Sequence, residues 1–189
     1  MSDAQKEGGV FTVVLNYNRY ALTRDMLESL RNTRGGKSRV RLVENHSTDG
    51  SAEKLRREFP EVEILEPGEN MGRAGGRNYG ARAAIDRGAD YIFFCDNDAH
   101  VGEDCVSRLG ACLERDPSAG IVGARVMCDP DGDAIFSLGT FIDWDRCFYR
   151  AIQEEPGEVP GGGLIDSALA PGTAWMVRIS LFQNVGYID

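Results

Sequence analysis

Two textures alternate along this chain of 189 residues: short, nearly continuous apolar runs, and stretches whose apolar residues recur at helical spacing. The first run, Val10-Phe11-Thr12-Val13-Val14-Leu15, stops at Asn16-Tyr17-Asn18-Arg19 and predicts a buried strand. Over residues 20–32, Leu22, Met26, Leu27 and Leu30 lie at helical spacing, and Gly35-Gly36 closes the helix. Residues 40–43 predict a second strand, and the loop at 44–51 offers several N-cap candidates. A short helix over 52–59 is stopped by Pro60, and 62–65 alternates as a third, more exposed strand. A glycine-rich segment at 70–80 runs into a helix predicted from about Gly76 to Arg87. Tyr91-Ile92-Phe93-Phe94-Cys95 then predicts a strand that ends abruptly in Asp96-Asn97-Asp98. Residues 105–114 predict a helix with Val106, Leu109 and Leu113 on one side, and 121–126 a fifth strand.

Apolar strands alternating with helices through residue 127 predict an α/β fold, a parallel sheet with helices on both faces. Right-handed crossovers leave few topologies open to it. Beyond Cys128 the texture changes. Asp129-Pro130-Asp131-Gly132-Asp133 is a turn signal, and Phe136, Phe141, Trp144, Phe148 and Tyr149 follow without helical spacing, as in irregular strands or a hairpin. The Pro/Gly/Glu-rich stretch at 154–163 predicts a mobile loop. Residues 170–178 return to an apolar strand, and Ser180 is the expected cap of a short helix to Val185. Residues 1–9 are expected to be a disordered leader. The sequence stops without a polar tail or capping element, as a truncated chain would.

Composition narrows the function classes. With 42% apolar and 27% charged residues the chain is globular, and its length supports a sizeable core. A net charge of −9 argues against a nucleic-acid partner or an anionic membrane bound through bulk charge, while leaving room for one phosphate-bearing ligand. The five cysteines, Cys95, Cys105, Cys112, Cys128 and Cys147, are odd in number and include no CxxC pair, so reduced thiols in a cytoplasmic protein are expected. Cys105 and Cys112 share a helix face as small core residues. No apolar stretch approaches the roughly 18 to 20 residues that span a bilayer. An acceptor in a membrane would therefore be met by peripheral association.

Three polar clusters each follow a strand: Asn16-Tyr17-Asn18-Arg19, Glu44-Asn45 and Asp96-Asn97-Asp98. The carboxyl ends of parallel strands point one way, so the three converge on one crevice. Two carboxylates one residue apart, with His100 nearby, form an oxygen-rich set that suits Mg2+ or Mn2+. An acidic turn after a strand is the plainer alternative. Of the two histidines, His100 is better placed than His46 to reach a cation. In Asn70-Met71-Gly72-Arg73-Ala74-Gly75-Gly76-Arg77-Asn78-Tyr79-Gly80, amides at a helix start and the cations Arg73 and Arg77 favour an anion. Glycine needed only for close packing explains the segment equally well. The spacing fits neither a Walker A loop nor a dinucleotide fingerprint.

Taken in order, these motifs resemble family 2 glycosyltransferases, in particular their rhamnosyltransferase-like members. The resemblance covers about Phe11 to Asp189. It rests on Val13 to Arg19, Val43 to Ser51, the Asn-x-Gly-x-Ala-Gly-Gly-x-Asn-x-Gly segment at 70–80, the DxD of Asp96 and Asp98, and Pro171 to Arg178 with the later Val185-Gly186-Tyr187-Ile188-Asp189. It implies a GT-A-type, Rossmann-like, mostly parallel sheet with an irregular β region on the acceptor side. The nucleotide-sugar-binding half would be 10–128 and the acceptor side 129–189. The resemblance further implies an inverting transfer of sugar from a nucleotide-diphosphate donor to a saccharide or lipid-linked acceptor, in the cytoplasm or at the inner face of the membrane. Asn16, Tyr17, Asn18, Arg19, Glu44, Asn45, Gly72, Arg73, Arg77, Asp96, Asn97 and Asp98 would hold the donor. Asp98, with Asp96 and His100, would hold the metal, and Gly172 and Trp175 would face the acceptor. The family usually has Asp in place of Glu44, and its base lies just beyond residue 189, with Asp189 the candidate inside the chain. A sugar-phosphate nucleotidyltransferase or a non-catalytic nucleotide-sugar-binding domain are the alternatives.

Overall fold

The computed structural model describes residues 8–35, 38–128, 134–143, 145–146, 148–153 and 167–189. The expected leader up to residue 7, Gly36, the turn at 129–133, Trp144, Cys147 and the loop at 154–163 lie outside the described residues. The first half runs β1 (Val10–Asn16), α1 (Tyr20–Arg31), β2 (Arg39–Glu44), α2 (Ser51–Glu58), β3 (Glu63–Leu65), α3 (Gly72–Asp86), β4 (Tyr91–Cys95), α4 (Cys105–Arg115) and β5 (Ile121–Gly123). The second half adds β6 (Val126–Met127), β7 (Ile135–Ser137), β8 (Thr140–Asp143), β9 (Phe148–Ala151), β10 (Ala174–Arg178) and α5 (Ile179–Val185).

Six strands form one sheet in the order β3-β2-β1-β4-β10-β5. β3, β2, β1 and β4 are parallel, and β10 enters antiparallel between β4 and β5. The expected α/β class is therefore present, and a strand from the second half completes the sheet of the first. Alternation along each strand separates two cores. Val14, Leu42, Phe93 and Met176 face Met26 and Leu30 of α1, Leu55 of α2 and Leu109 and Leu113 of α4. Their neighbours Val13, Val43, Phe94 and Val177 face Ala81 and Ala84 of α3 and Phe182 of α5. This period of two is what places helices on both faces. β6–β7 and β8–β9 form separate two-stranded ribbons. Among the described residues no helix is long and apolar enough to cross a membrane.

Several expectations change. The fifth strand is not continuous over 121–126. It ends at Gly123, where a side chain would run into Pro171, and Val126 leaves the sheet to pair with Ser137. Leu22 is exposed, and Thr23 takes its expected place beside Met26, Leu27 and Leu30. Ser180 lies inside α5 and does not cap it; Arg178 precedes the helix in an extended conformation. Gly9, placed in the leader, is tied down: its N–H donates to Asp90 Oδ2 at 2.6 Å, and its carbonyl accepts from Asp90 N at 2.9 Å. α3 begins at Gly72 rather than Gly76, so the glycine segment is its first two turns.

Those glycines let α3 lie directly on the sheet. A Cβ on Gly80 would come 2.5 Å from Val13 Cγ1 and 2.9 Å from Val43 Cγ2, and one on Gly76 would run into Leu15. Gly80→Ala should therefore overpack two strands at once. Despite the gain in helix propensity, a loss of about 1 to 3 kcal/mol in urea unfolding is expected; an unchanged or raised midpoint would contradict this packing.

Candidate active site

The ends of β2, β1 and β4 lie side by side at one rim of the sheet. Asn16 and Glu44, the last residues of β1 and β2, are register partners. A directional hydrogen-bond chain runs beneath the rim. Asn97 Nδ2 donates to Thr23 Oγ1 (2.8 Å), Thr23 Oγ1 to Asn16 Oδ1 (2.7 Å), and Asn16 Nδ2 to Glu44 Oε2 (2.6 Å). The other Glu44 oxygen accepts from Ser47 N at 2.9 Å. Asn16, Thr23 and Glu44 are buried. A carboxylate taken out of water requires such partners. The chain therefore binds the Asp96-Asn97-Asp98 turn, α1 and the ends of β1 and β2 into one unit.

The loops above are stitched in the same way. Asn18 adopts a left-handed backbone (φ 52°), receives Thr48 N on Oδ1 at 2.7 Å and donates its own N–H to Ser47 Oγ at 2.8 Å. Asn45, also buried, accepts from Met71 N at 2.9 Å and donates to Asn70 Oδ1, which accepts from Gly72 N at 2.9 Å. Two amides at the start of α3 are thus used by these asparagines. Tyr17 and Arg19 are exposed. A cavity of about 350 Å³ opens beside Glu44, lined by His46, Ser47, Thr48, Glu53 and Glu66 among others.

At the end of β4, Asp96 is held by both arginines of α3. Arg73 donates to its two oxygens at 2.8 and 2.6 Å, and Arg77 to Oδ1 at 2.7 Å. Arg77 also reaches the Gly172 carbonyl at 3.0 Å. Burial pushes the Arg77 guanidinium below its ordinary pKa, Asp96 draws it back up, and the Arg73 charge lowers it. Asp98 and His100 are exposed. Asp98 has no hydrogen bond or ion pair among the described residues. Asp96, Asp98 and His100 do not form the expected ligand group: no three His, Cys, Asp or Glu side chains converge among the described residues, because Asp96 is turned onto the arginines. Of the two carboxylates in this turn, Asp98 is the exposed one, and its oxygens are hard ligands of the type that could hold Mg2+ or Mn2+.

Just before β10, Thr173 O accepts from Asp96 N at 2.8 Å, which places Gly172 at the same rim. Trp175 is half-buried, with its ring stacked 4.5 Å from Phe94. Asp189 is exposed, and the preceding Ile188 is bonded to Asn78 of α3. Cys95 lies beneath this rim, and burial drives its thiol far above the ordinary range, which makes it inert. Thr23, Ser47 and Asn78 carry much of this geometry and were not singled out by sequence reasoning. The signal for Thr23 was a polar residue on the apolar face of α1, which needs a buried partner.

A sequence profile described as "Glycosyl transferase family 2" matches residues 12–184. The N-acetylglucosaminyl-diphospho-decaprenol L-rhamnosyltransferase of Mycobacterium tuberculosis is 30% identical, over 79% of this chain and 55% of its own length. The chain spans about half the length of the curated relatives it matches. Among solved structures, S. aureus TarS 1-349 superposes with a TM-score of 0.68 at 17% identity, over 96% of this chain and 50% of its own. The mannosyltransferase PcManGT from Pyrobaculum calidifontis, in complex with GDP-Man and Mn2+, gives 0.66 at 19% identity, over 95% and 47%. Both carry the same fold.

Thr23→Val keeps the shape of the side chain while leaving Asn16 Oδ1 without a donor and Asn97 Nδ2 without an acceptor. Urea unfolding should show a loss of about 1 to 3 kcal/mol. A loss below about 0.3 kcal/mol would mean that the hydrogen-bond chain contributes no stability.

Proposed function

This chain belongs to glycosyl transferase family 2, and on that premise we propose that it binds a nucleotide-diphosphate sugar and directs the sugar to an acceptor hydroxyl with inversion. The observation that carries this reading is the pairing of Arg73 and Arg77 on Asp96 beside an exposed Asp98 that has no partner among the described residues. Two guanidiniums at a strand rim form a bidentate anchor for a diphosphate, which carries more charge than the one carboxylate they now share. Asp98 would hold Mg2+ or Mn2+ against the phosphate oxygens, with Asp96 left to address ribose hydroxyls or the cation. When bound, the cation neutralises charge on the departing nucleoside diphosphate. The cavity beside Glu44 suits the nucleoside. Tyr17, Asn18 and Arg19 line the approach, and Asn16, Asn45, Asn97 and Gly72 shape it from beneath.

Residues 10–128 act as the donor half and 129–189 as the acceptor side, where Gly172 and Trp175 flank the incoming hydroxyl. The base of family members falls after the position of residue 189; within this chain Asp189 is the candidate that would take the hydroxyl proton as oxygen attacks the anomeric carbon. The acceptor is a saccharide, in a lipid-linked form as the name of the mycobacterial relative describes for that enzyme. Such an acceptor would place the protein in the cytoplasm at the inner face of a membrane, by peripheral association.

Calorimetry with uridine and deoxythymidine diphosphates, with and without Mn2+, tests the donor site. One nucleotide should gain at least about tenfold in affinity from the metal, or about 1.4 kcal/mol, and Asp98→Asn should abolish that gain while leaving the metal-free affinity in place. A gain that survives the substitution contradicts the role of Asp98.

A further inference from the structure

Asn78 is a buried amide in the middle of α3 that the donor site does not use. Its Nδ2 donates to the Ile188 carbonyl at 2.6 Å, and its Oδ1 accepts from the Ile188 amide at 3.0 Å, across 110 residues of sequence. Both polar groups of the side chain thus bond both polar groups of one backbone residue, as a neighbouring strand would. An amide is a weaker helix former than alanine, and its burial is costly unless every group is paired. An apolar side chain would fill the space equally well but could not set the orientation of Ile188.

The surrounding contacts act on the same short segment. After α5 the chain turns through Gly186 in a left-handed conformation (φ 91°). Tyr187 packs 5.4 Å from Phe182 and lies under the Arg82 guanidinium of α3 at 4.4 Å. Ile188 packs into the core shared by α3 and α5. The helix that fixes this segment is the one whose preceding residue, Arg77, holds Asp96. Successive residues of one rigid helix therefore grip the donor-side carboxylate and the stretch that leads into Asp189.

We propose that Asn78 is a positioning residue: it fixes the segment carrying Asp189 in register with the arginine pair, so that the acceptor side is built to the geometry of the donor side. This rests on the sugar-transfer reading above. Asn78 touches neither donor nor base, so its removal acts on the rate of transfer and spares the binding of nucleotide. A misplacement of about 1 Å in a reacting group costs on the order of a hundredfold in rate.

The test uses the full-length protein and the variants Asn78→Ala and Arg82→Ala, the second loosening Tyr187 from the exposed face of α3. Three quantities are measured: hydrogen exchange of the Ile188 amide, affinity for deoxythymidine and uridine diphosphates with Mn2+, and sugar transfer to a polyprenyl-diphosphate-linked N-acetylglucosamine. In Asn78→Ala the Ile188 amide should lose protection, nucleotide Kd should stay within about twofold, and kcat should fall by about 30-fold or more at unchanged donor KM. Arg82→Ala should lower kcat less and in the same manner. The proposal is overturned if kcat stays within about twofold of wild type, or if nucleotide affinity and kcat fall together as in general unfolding. Wild-type protein that binds neither nucleotide overturns the sugar-transfer reading instead, a distinct result because Ile188 protection is read without any ligand.

Discussion

A single buried carboxylate sets the direction of the hydrogen bonds under the rim. Glu44 accepts at both oxygens, from Ser47 N and Asn16 Nδ2. Because Asn16 must turn its amide nitrogen to Glu44, its oxygen is left to receive Thr23, and the Thr23 oxygen to receive Asn97. No member of this chain can reverse without leaving two donors or two acceptors face to face. Polar groups that are buried and fully paired stiffen a site, whereas a partly paired set is costly. The turn carrying Asp98 therefore sits on a foundation whose polarity is imposed from two strands away.

Above that foundation the charges are left unfinished. Asp96 is held by two arginines, and Asp98 faces solvent with no hydrogen bond or ion pair among the described residues. A carboxylate that holds guanidiniums in place keeps them from folding back onto the acidic surface of a chain with net charge −9. Both arginines are thereby held at the rim, at the end of β4. Close approach of α3 to the sheet, through Gly76 and Gly80, is what brings their side chains within reach of the end of β4. Packing on one face of the sheet and polar pairing at its rim thus depend on the same helix.

Much of this was legible in the sequence where the physics is local. The runs ending at Leu15 and Cys95 are apolar because those strands are covered on both faces, and their polar ends mark the rim. Long-range effects were less visible. The apolar spacing of α1 favoured Leu22, but the demand of Asn16 for a donor puts Thr23 inward and turns Leu22 outward. α3 starts a turn early because Asn45 and Asn70, from separate loops, take up its first amides. The fifth strand ends at Gly123, the position where Pro171, distant in sequence, packs so closely that only glycine fits. Asn78 looked like one more residue of a glycine-rich segment, since its partner Ile188 lies at the other end of the chain.

The most direct measurement is a crystal structure of the protein soaked with Mn2+ and the nucleoside diphosphate that binds it. The account predicts phosphate oxygens within hydrogen-bonding distance of Arg73 and Arg77, Mn2+ on Asp98, the base in the cavity beside Glu44, and the Asn97-Thr23-Asn16-Glu44 chain unchanged beneath them. A nucleotide bound away from that rim, or a cation held with Asp98 left free, would contradict it.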